Sequence, residues 1–209
     1  MAIVYQQQIA PGTAFAIWKI DESLETLHAQ LPLNSDDEQA LQLIHHDKRK
    51  LHWFAARVLL RTMLNTQAPI RCRADENGKP FLVDLPYQIA ISHSFDYAAV
   101  MLSETQSVGI DIELMSAKIV ALAPKFLSPA EQSFIDAEHP TEHLYACWCA
   151  KEAIFKLHGK RGVSLLNDIH LEPFVYANQG KLKAHLAVNN TTVAVSFEKM
   201  GDYMLAWAR

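Results

Sequence analysis

Several features that would assign this 209-residue chain to a special class of protein are missing from it. No apolar run approaches the roughly 20 residues that a membrane-spanning helix needs, and residues 1–10 carry four polar side chains and no basic flank, unlike a signal peptide. The chain has only three cysteines, an odd number without metal-ligand spacing, which favours a reduced, cytoplasmic protein. The net charge of −4 argues against a nucleic-acid-binding function.

Basic residues are scarce at the start of the chain, where Lys19 is the only Lys or Arg among residues 1–47. A dense basic stretch follows, made up of Lys48, Arg49, Lys50, Arg57, Arg61, Arg71, Arg73 and Lys79. Two interpretations stay open from composition alone. The stretch is either a solvated helix face with charged loops, or a docking surface for a polyanionic small molecule.

A weak internal repeat points to two similar halves. The segments 78–80, 89–92 and 96–99 recur in the same order as 180–182, 193–196 and 202–205. The length allows two lobes of about 100 residues each. We therefore predict an α+β fold with two similar lobes in one chain, residues 1–105 and 106–209, each a small antiparallel sheet packed by helices. A cleft between the lobes is the expected active site.

Two carboxylates in the second half are placed for joint chemistry. Asp111 and Glu113 lie two residues apart in an apolar, β-branched segment, so in a strand they face the same side. Two like charges held close repel each other unless a cation lies between them. The alternative is an exposed strand face without a ligand.

Residues 148–156 have the spacing of a helix that carries a second charged group. Glu152 and Lys156, at i and i+4, share a helix face. The alternative is a simple salt bridge between these two side chains. Carboxylate ligands beside a lysine are well suited to a metal-bound phosphate.

Four motifs in this order resemble one enzyme family. They are Gly-Lys-Pro at 78–80, Ile-Ser-His-Ser at 91–94, Gly-Ile-Asp-Ile-Glu at 109–113 and Trp-x-x-Lys-Glu-Ala-x-x-Lys at 148–156. Together they resemble the 4′-phosphopantetheinyl transferases of the larger, two-lobed type, which activate fatty-acid, polyketide and peptide synthetases. The resemblance implies transfer of the phosphopantetheine arm of coenzyme A to a serine of an apo acyl or peptidyl carrier protein, with release of adenosine 3′,5′-bisphosphate.

The resemblance also implies a catalytic set in the second half. Asp111, Glu113 and Glu152 would bind Mg²⁺, with Mn²⁺ left open. Glu152 would act as the general base, directly or through a metal-bound water. Lys156 would stabilise charge on the transferred phosphate, and Asp111 and Lys156 are counted with Glu152 as catalytic.

Coenzyme A contacts are implied across both halves. The candidates are Lys48, Arg57, Lys79, Pro80, Ser92, His93, Lys151 and Lys156. His93 is expected at the 3′-phosphate unless it is a core histidine, and Arg49 competes with Lys48 as its basic partner. Residues 78–80 would otherwise be an ordinary hairpin turn. Lys151 contacts either coenzyme A or only solvent.

A carrier protein presents an acidic helix beside its serine, so a partly apolar, partly basic surface should receive it. Lys118, Lys125, Phe126 and Leu127 are the candidates, with core packing as the alternative for the two apolar residues. We expect a monomer that binds neither nucleic acid nor membrane. The sequence leaves open which pathway is served, fatty-acid biosynthesis among them, and whether acyl-coenzyme A is accepted.

Two rival functions remain at this stage. One is a non-catalytic module that binds coenzyme A or a carrier protein, against which the carboxylate and lysine set argues. The other is a different Mg²⁺-dependent enzyme acting on a nucleotide, against which the lack of a P-loop argues.

Overall fold

Two antiparallel sheets, each with its own helices, make up the protein. The computed structural model describes residues 3–209, so Met1 and Ala2 of the first predicted lobe lie outside the described residues. The chain divides into two compact units, one ending at Gln106 and the other running from Ser107 to Arg209. The predicted α+β class with two helix-packed antiparallel sheets is confirmed.

The first unit is a six-stranded sheet with three helices. Its elements are β1 (Ile3–Ala10), β2 (Thr13–Lys19), α1 (Leu24–Gln30), α2 (Ser35–Gln42), α3 (Asp47–Met63), β3 (Cys72–Ala74), β4 (Pro80–Leu82), β5 (Gln88–Ser94) and β6 (Tyr97–Ser103). The strand order is β1-β2-β6-β5-β4-β3. Helix α3 buries an apolar stripe that includes Phe54, Val58 and Leu59 against a core shared with β2, β5 and β6.

The second unit is a five-stranded sheet that packs against one long helix. Its elements are β7 (Gly109–Leu114), α4 (Ile119–Leu122), a 3₁₀ turn (Ala123–Lys125), α5 (Pro129–Gln132), α6 (Pro140–His158), β8 (Ile169–Leu171), β9 (Gln179–Leu186), a second 3₁₀ turn (Ala187–Asn189), β10 (Thr191–Met200) and β11 (Tyr203–Ala208). The strand order is β7-β11-β10-β9-β8. Pro140 starts α6, and Gly159 with a φ of 71° ends it.

The two units repeat one topology. Apart from the extra edge strand β1, each unit has one strand followed by helices and then by a four-stranded meander whose last strand pairs with that strand: β2-β6-β5-β4-β3 in one unit and β7-β11-β10-β9-β8 in the other. The repeated segments of the sequence fall on β4 and β9, on β5 and β10, and on the hairpins that lead into β6 and β11. The likeness between the two halves is therefore a likeness of fold.

Strand β1 was not predicted. It lies at the sheet edge and alternates half-buried with exposed residues, and its middle is Gln6, Gln7 and Gln8. A polar edge strand lacks the apolar signal on which the strand predictions rest. Among residues 3–209, no helix combines the length and apolarity that a membrane span requires.

Candidate active site

Strand β7 lies unusually close to helix α6 at Gly109. A Cβ atom added there would lie 1.8 Å from the backbone oxygen of Ala153 and 2.7 Å from the backbone nitrogen of Leu157. Only glycine permits this approach. The close contact brings the carboxylates of β7 next to the charged face of α6.

Three carboxylates interact across this contact. Asp111 is 3 % exposed, and Glu113 and Glu152 are half-buried. Burial first, and then the charges of Asp111 and Glu113, raise the pKa of Glu152 against the opposing charge of Lys156, with a net result of about 7. Among residues 3–209, the Glu152 carboxylate has no hydrogen-bond or ion-pair partner. A carboxylate with this proton affinity can accept a proton near neutral pH.

The ammonium group of Lys156 neutralises part of this negative charge. Its Nζ donates a hydrogen bond to Asp111 Oδ1 at 2.7 Å. The simple salt bridge with Glu152, the alternative left open by the helical spacing, is not formed. Lys156 instead joins α6 to β7 within the carboxylate cluster.

The donor set suits a hard divalent cation, although it is not a complete cage. Across the described chain, no three His, Cys, Asp or Glu side chains converge as a ready-made metal site. Mg²⁺ usually takes one or two protein carboxylates and completes its shell with water and substrate phosphate. The three neighbouring carboxylates offer at least the one or two protein ligands that this pattern needs, with Lys156 beside Asp111.

Lys151 matches neither of its two expected placements, contact with coenzyme A or contact with solvent only. It is fully buried, so its Nζ reaches neither coenzyme A nor solvent. The Nζ donates to the carbonyls of Phe126 at 2.8 Å and Leu165 at 2.9 Å, and it pairs with Glu131 at 2.7 Å. These three partners use all three of its N–H donors.

The Glu131 carboxylate is equally well bonded. It accepts hydrogen bonds from the backbone N–H of Leu171 and from both the backbone N–H and the hydroxyl of Ser128. Burial alone would raise its pKa, but these bonds and Lys151 keep that pKa below its ordinary value. The Lys151–Glu131 pair therefore ties α6 to α5, β8 and two connecting segments.

Two of the predicted coenzyme A contacts, Lys48 and His93, belong to one cluster of side-chain contacts in the first unit. The Lys48 ammonium lies 4.1 Å from the ring centroid of Phe95, and the rings of His52 and His93 stack with centroids 4.4 Å apart. His52 Nε2 also hydrogen-bonds the Phe95 carbonyl at 2.7 Å. His93 is exposed and is not a core histidine.

A separate pocket of about 870 Å³ in the first unit collects other predicted contacts. Arg57, Gly78 and Pro80 are among its lining residues. The Arg57 guanidinium lies 3.6 Å from the Trp53 ring centroid and 3.4 Å from Asp37, so part of its role is structural. The half-buried Lys79 has a pKa lowered by burial, which Asp75 opposes.

The side chains of Ser92 and His93 lie on opposite faces of β5. Neighbouring strand residues face opposite sides of a sheet, and Ser92 is buried where His93 is exposed. A shared phosphate contact would require the strand to depart from this alternation.

Of the four residues predicted for the carrier surface, two are buried and two are exposed. Phe126 and Leu127 are each 1 % exposed within the core of the second unit, so core packing, the alternative, is right for them. Lys118 and Lys125 are exposed. Two apolar side chains absent from the prediction, Val120 and Leu122, are exposed between them, at 51 % and 39 %.

Sequence reasoning missed four residues around these sites: His52, Trp53, Phe95 and Glu131. Both aromatic residues beside a cation, Phe95 and Trp53, give no motif, since their partners Lys48 and Arg57 are fixed only by the fold. Glu131 is the N3 residue of a capping box that begins at Ser128, a helix-start signal that gives no hint of Lys151. The i, i+4 spacing of Lys48 and His52 is the one signal that could have linked two of the side chains.

Comparison with known proteins relates the chain to one family, mainly through its second unit. The family model described as the 4′-phosphopantetheinyl transferase superfamily matches residues 107–208. A 4′-phosphopantetheinyl transferase of Bacillus subtilis is 38 % identical over 105 residues, 48 % of this chain and 46 % of that protein. The transferase Sfp of Bacillus subtilis strain 168 is 34 % identical over 120 residues, 53 % of each chain.

A third relative gives the same family. The 4′-phosphopantetheinyl transferase AcpT of Escherichia coli K12 is 37 % identical over 117 residues, 53 % of this chain and 59 % of that protein. The chain thus matches about half of the length of these relatives. Their names support the family, while the activity of the whole protein is a separate inference.

Proposed function

The chain belongs to the 4′-phosphopantetheinyl transferase superfamily, and on this premise we propose that it transfers 4′-phosphopantetheine from coenzyme A to a serine of an apo carrier protein. Adenosine 3′,5′-bisphosphate is the second product. The observation that carries the proposal is the cluster of Asp111, Glu113 and Glu152 with Lys156, drawn together where β7 meets α6.

Asp111, Glu113 and Glu152 are the residues that would hold the divalent cation, Mg²⁺ or Mn²⁺. When bound, such a cation supplies positive charge to the pyrophosphate of coenzyme A. Burial, and then the charges of Asp111 and Glu113, raise the pKa of Glu152. The repulsive part of this effect supports the assignment, because a cation among these carboxylates would relieve it.

The chain's own residues supply the remaining chemistry. The serine oxygen of the carrier forms a bond to the phosphorus that bears the pantetheine arm, and the bond from that phosphorus to the adenosine-side oxygen breaks. Glu152 receives the serine proton, directly or through a water. Lys156, held by Asp111, stabilises the charge that develops on the transferred phosphate.

The first unit would supply the coenzyme A contacts. Lys48 and His93 belong to one cluster there, which supports their assignment to a phosphate group. Arg57 and Pro80 line the pocket of about 870 Å³, a volume adequate for a small-molecule ligand. Lys151 is removed from the proposed contacts because its ammonium is buried.

The carrier protein would dock on the exposed segment around α4. Lys118 and Lys125 supply positive charge, and Val120 and Leu122 supply apolar area. This composition is complementary to an acidic amphipathic helix.

The three cysteines are free and buried, which supports a function in the reducing cytoplasm.

The direct test is intact-mass spectrometry of apo carrier proteins incubated with the protein and coenzyme A. We expect a gain of about 340 Da, the mass of the arm, that disappears with EDTA and returns with excess Mg²⁺. A gain that EDTA does not affect would contradict the metal assignment. No gain on fatty-acid, polyketide and peptidyl carriers, with coenzyme A still bound, would favour a non-catalytic binding module.

A further inference from the structure

The hairpin between β5 and β6 has a backbone conformation that its residue does not favour. Phe95 has a φ of 49°, in the left-handed region where bulky residues are outliers. Its side chain is 53 % exposed, so burial of the ring does not offset the strain. Strained residues of this kind cluster at functional sites.

Two contacts hold Phe95 in place from helix α3. His52 Nε2 lies 2.7 Å from the Phe95 carbonyl oxygen, which can only accept, so this ring nitrogen donates. The Lys48 ammonium lies over the Phe95 ring at 4.1 Å. Lys48 and His52 are at i and i+4, on one face of α3.

The same hairpin carries His93 at the end of β5. The His93 ring stacks on the His52 ring with an interplanar angle of 27°. The backbone and side chain of Phe95 thus connect to both groups that could bear positive charge, Lys48 directly and His93 through His52. A lysine and a histidine fixed at one hairpin tip match a dianionic phosphate monoester.

We propose that Phe95 is a positioning residue, which with His52 holds Lys48 and His93 toward one phosphate monoester, the 3′-phosphate of coenzyme A. The proposal rests on the function proposed above. Without the ring, Lys48 regains its rotamer freedom and loses the contact that fixes it at this hairpin. The strained backbone of Phe95 is retained because it brings the ring under Lys48.

The test replaces Phe95 by glycine, which favours the observed φ. Dissociation constants for coenzyme A and for 3′-dephospho-coenzyme A are measured by calorimetry, together with the melting temperature. Phe95→Asn serves as a second variant that tolerates the left-handed region. Asn65→Gly is the matched control, since Asn65 has a φ of 48° just beyond the other end of α3.

For Phe95→Gly we expect an unchanged or higher melting temperature, and a dissociation constant for coenzyme A raised about three- to fivefold. The constant for 3′-dephospho-coenzyme A should change by less than about twofold, and Asn65→Gly should change neither constant. Equal coenzyme A binding by Phe95→Gly and wild type, or equal losses for both ligands, would overturn the role of Phe95. Failure of the wild-type protein to bind either ligand would instead overturn the proposed function.

Discussion

Two lysines on one helix illustrate how much the surroundings decide at the scale of single residues. Lys151 and Lys156 both belong to the family motif, yet one is sealed in the core and the other faces the carboxylate cluster. Helical spacing places Lys156 with Glu152 and Lys151 on another face, as the sequence predicts. It does not reveal Glu131, the partner that makes a buried ammonium tolerable, because that contact depends on how α5 packs.

Removal of the Lys151 charge should therefore lower the stability of the second unit. Lys151→Met leaves Glu131 buried without its cation, and we expect the free energy of unfolding to fall by about 3–5 kcal/mol. Urea denaturation measures this change. Lys125→Met, at an exposed position, is the control and should fall within about 0.5 kcal/mol of wild type. Equal stabilities of the two variants would contradict the structural role of Lys151.

At the scale of elements, the site depends on how closely one strand approaches one helix. Alternation along β7 and periodicity along α6 were sufficient to predict which side chains share a face. The distance between the two elements was not predictable, because it depends on the lack of a Cβ atom at Gly109, where the strand contacts the helix backbone. Strand β1 escaped prediction, and the choice between core and surface for Phe126 and Leu127 stayed open, since sheet edges and burial depend on neighbours distant in the sequence.

Gly109→Ala should separate the two elements. The added Cβ would overlap the Ala153 backbone oxygen, so β7 or α6 must shift, and we expect a loss of about 1–3 kcal/mol in stability. Carrier modification should slow as well, because Asp111 and Glu113 would move away from Glu152.

The control for this substitution is Gly201→Asn, in the turn before β11. Gly201 has a φ of 59°, which asparagine tolerates, and open space around it. It should stay near wild type in both the denaturation midpoint and the transfer rate. A Gly109→Ala protein with wild-type stability and rate would contradict the close-packing argument.

At the scale of the whole molecule, one topology has been used twice for different purposes. Both units carry the strand, helix and meander arrangement, and the sequence repeat predicted that likeness. The family model covers residues 107–208, the unit with the carboxylate cluster. In the first unit the corresponding helix, α3, instead carries Lys48, His52 and Arg57. The motifs indicated the carboxylates and the lysine that the fold brings together in the second unit, whereas the aromatic contacts of Lys48 and Arg57 in the first unit became visible only with the fold.

Glu152→Gln tests most directly whether the cluster on β7 and α6 performs the transfer. The measurement is the rate of carrier mass gain for this variant beside wild type and Glu142→Gln. Glu142 lies on the same helix but pairs with Lys199 at 3.2 Å, outside the cluster. We predict that Glu152→Gln lowers the rate at least about 100-fold with an unchanged melting temperature, while Glu142→Gln stays within about twofold of wild type. A Glu152→Gln protein that modifies the carrier at the wild-type rate would contradict the account.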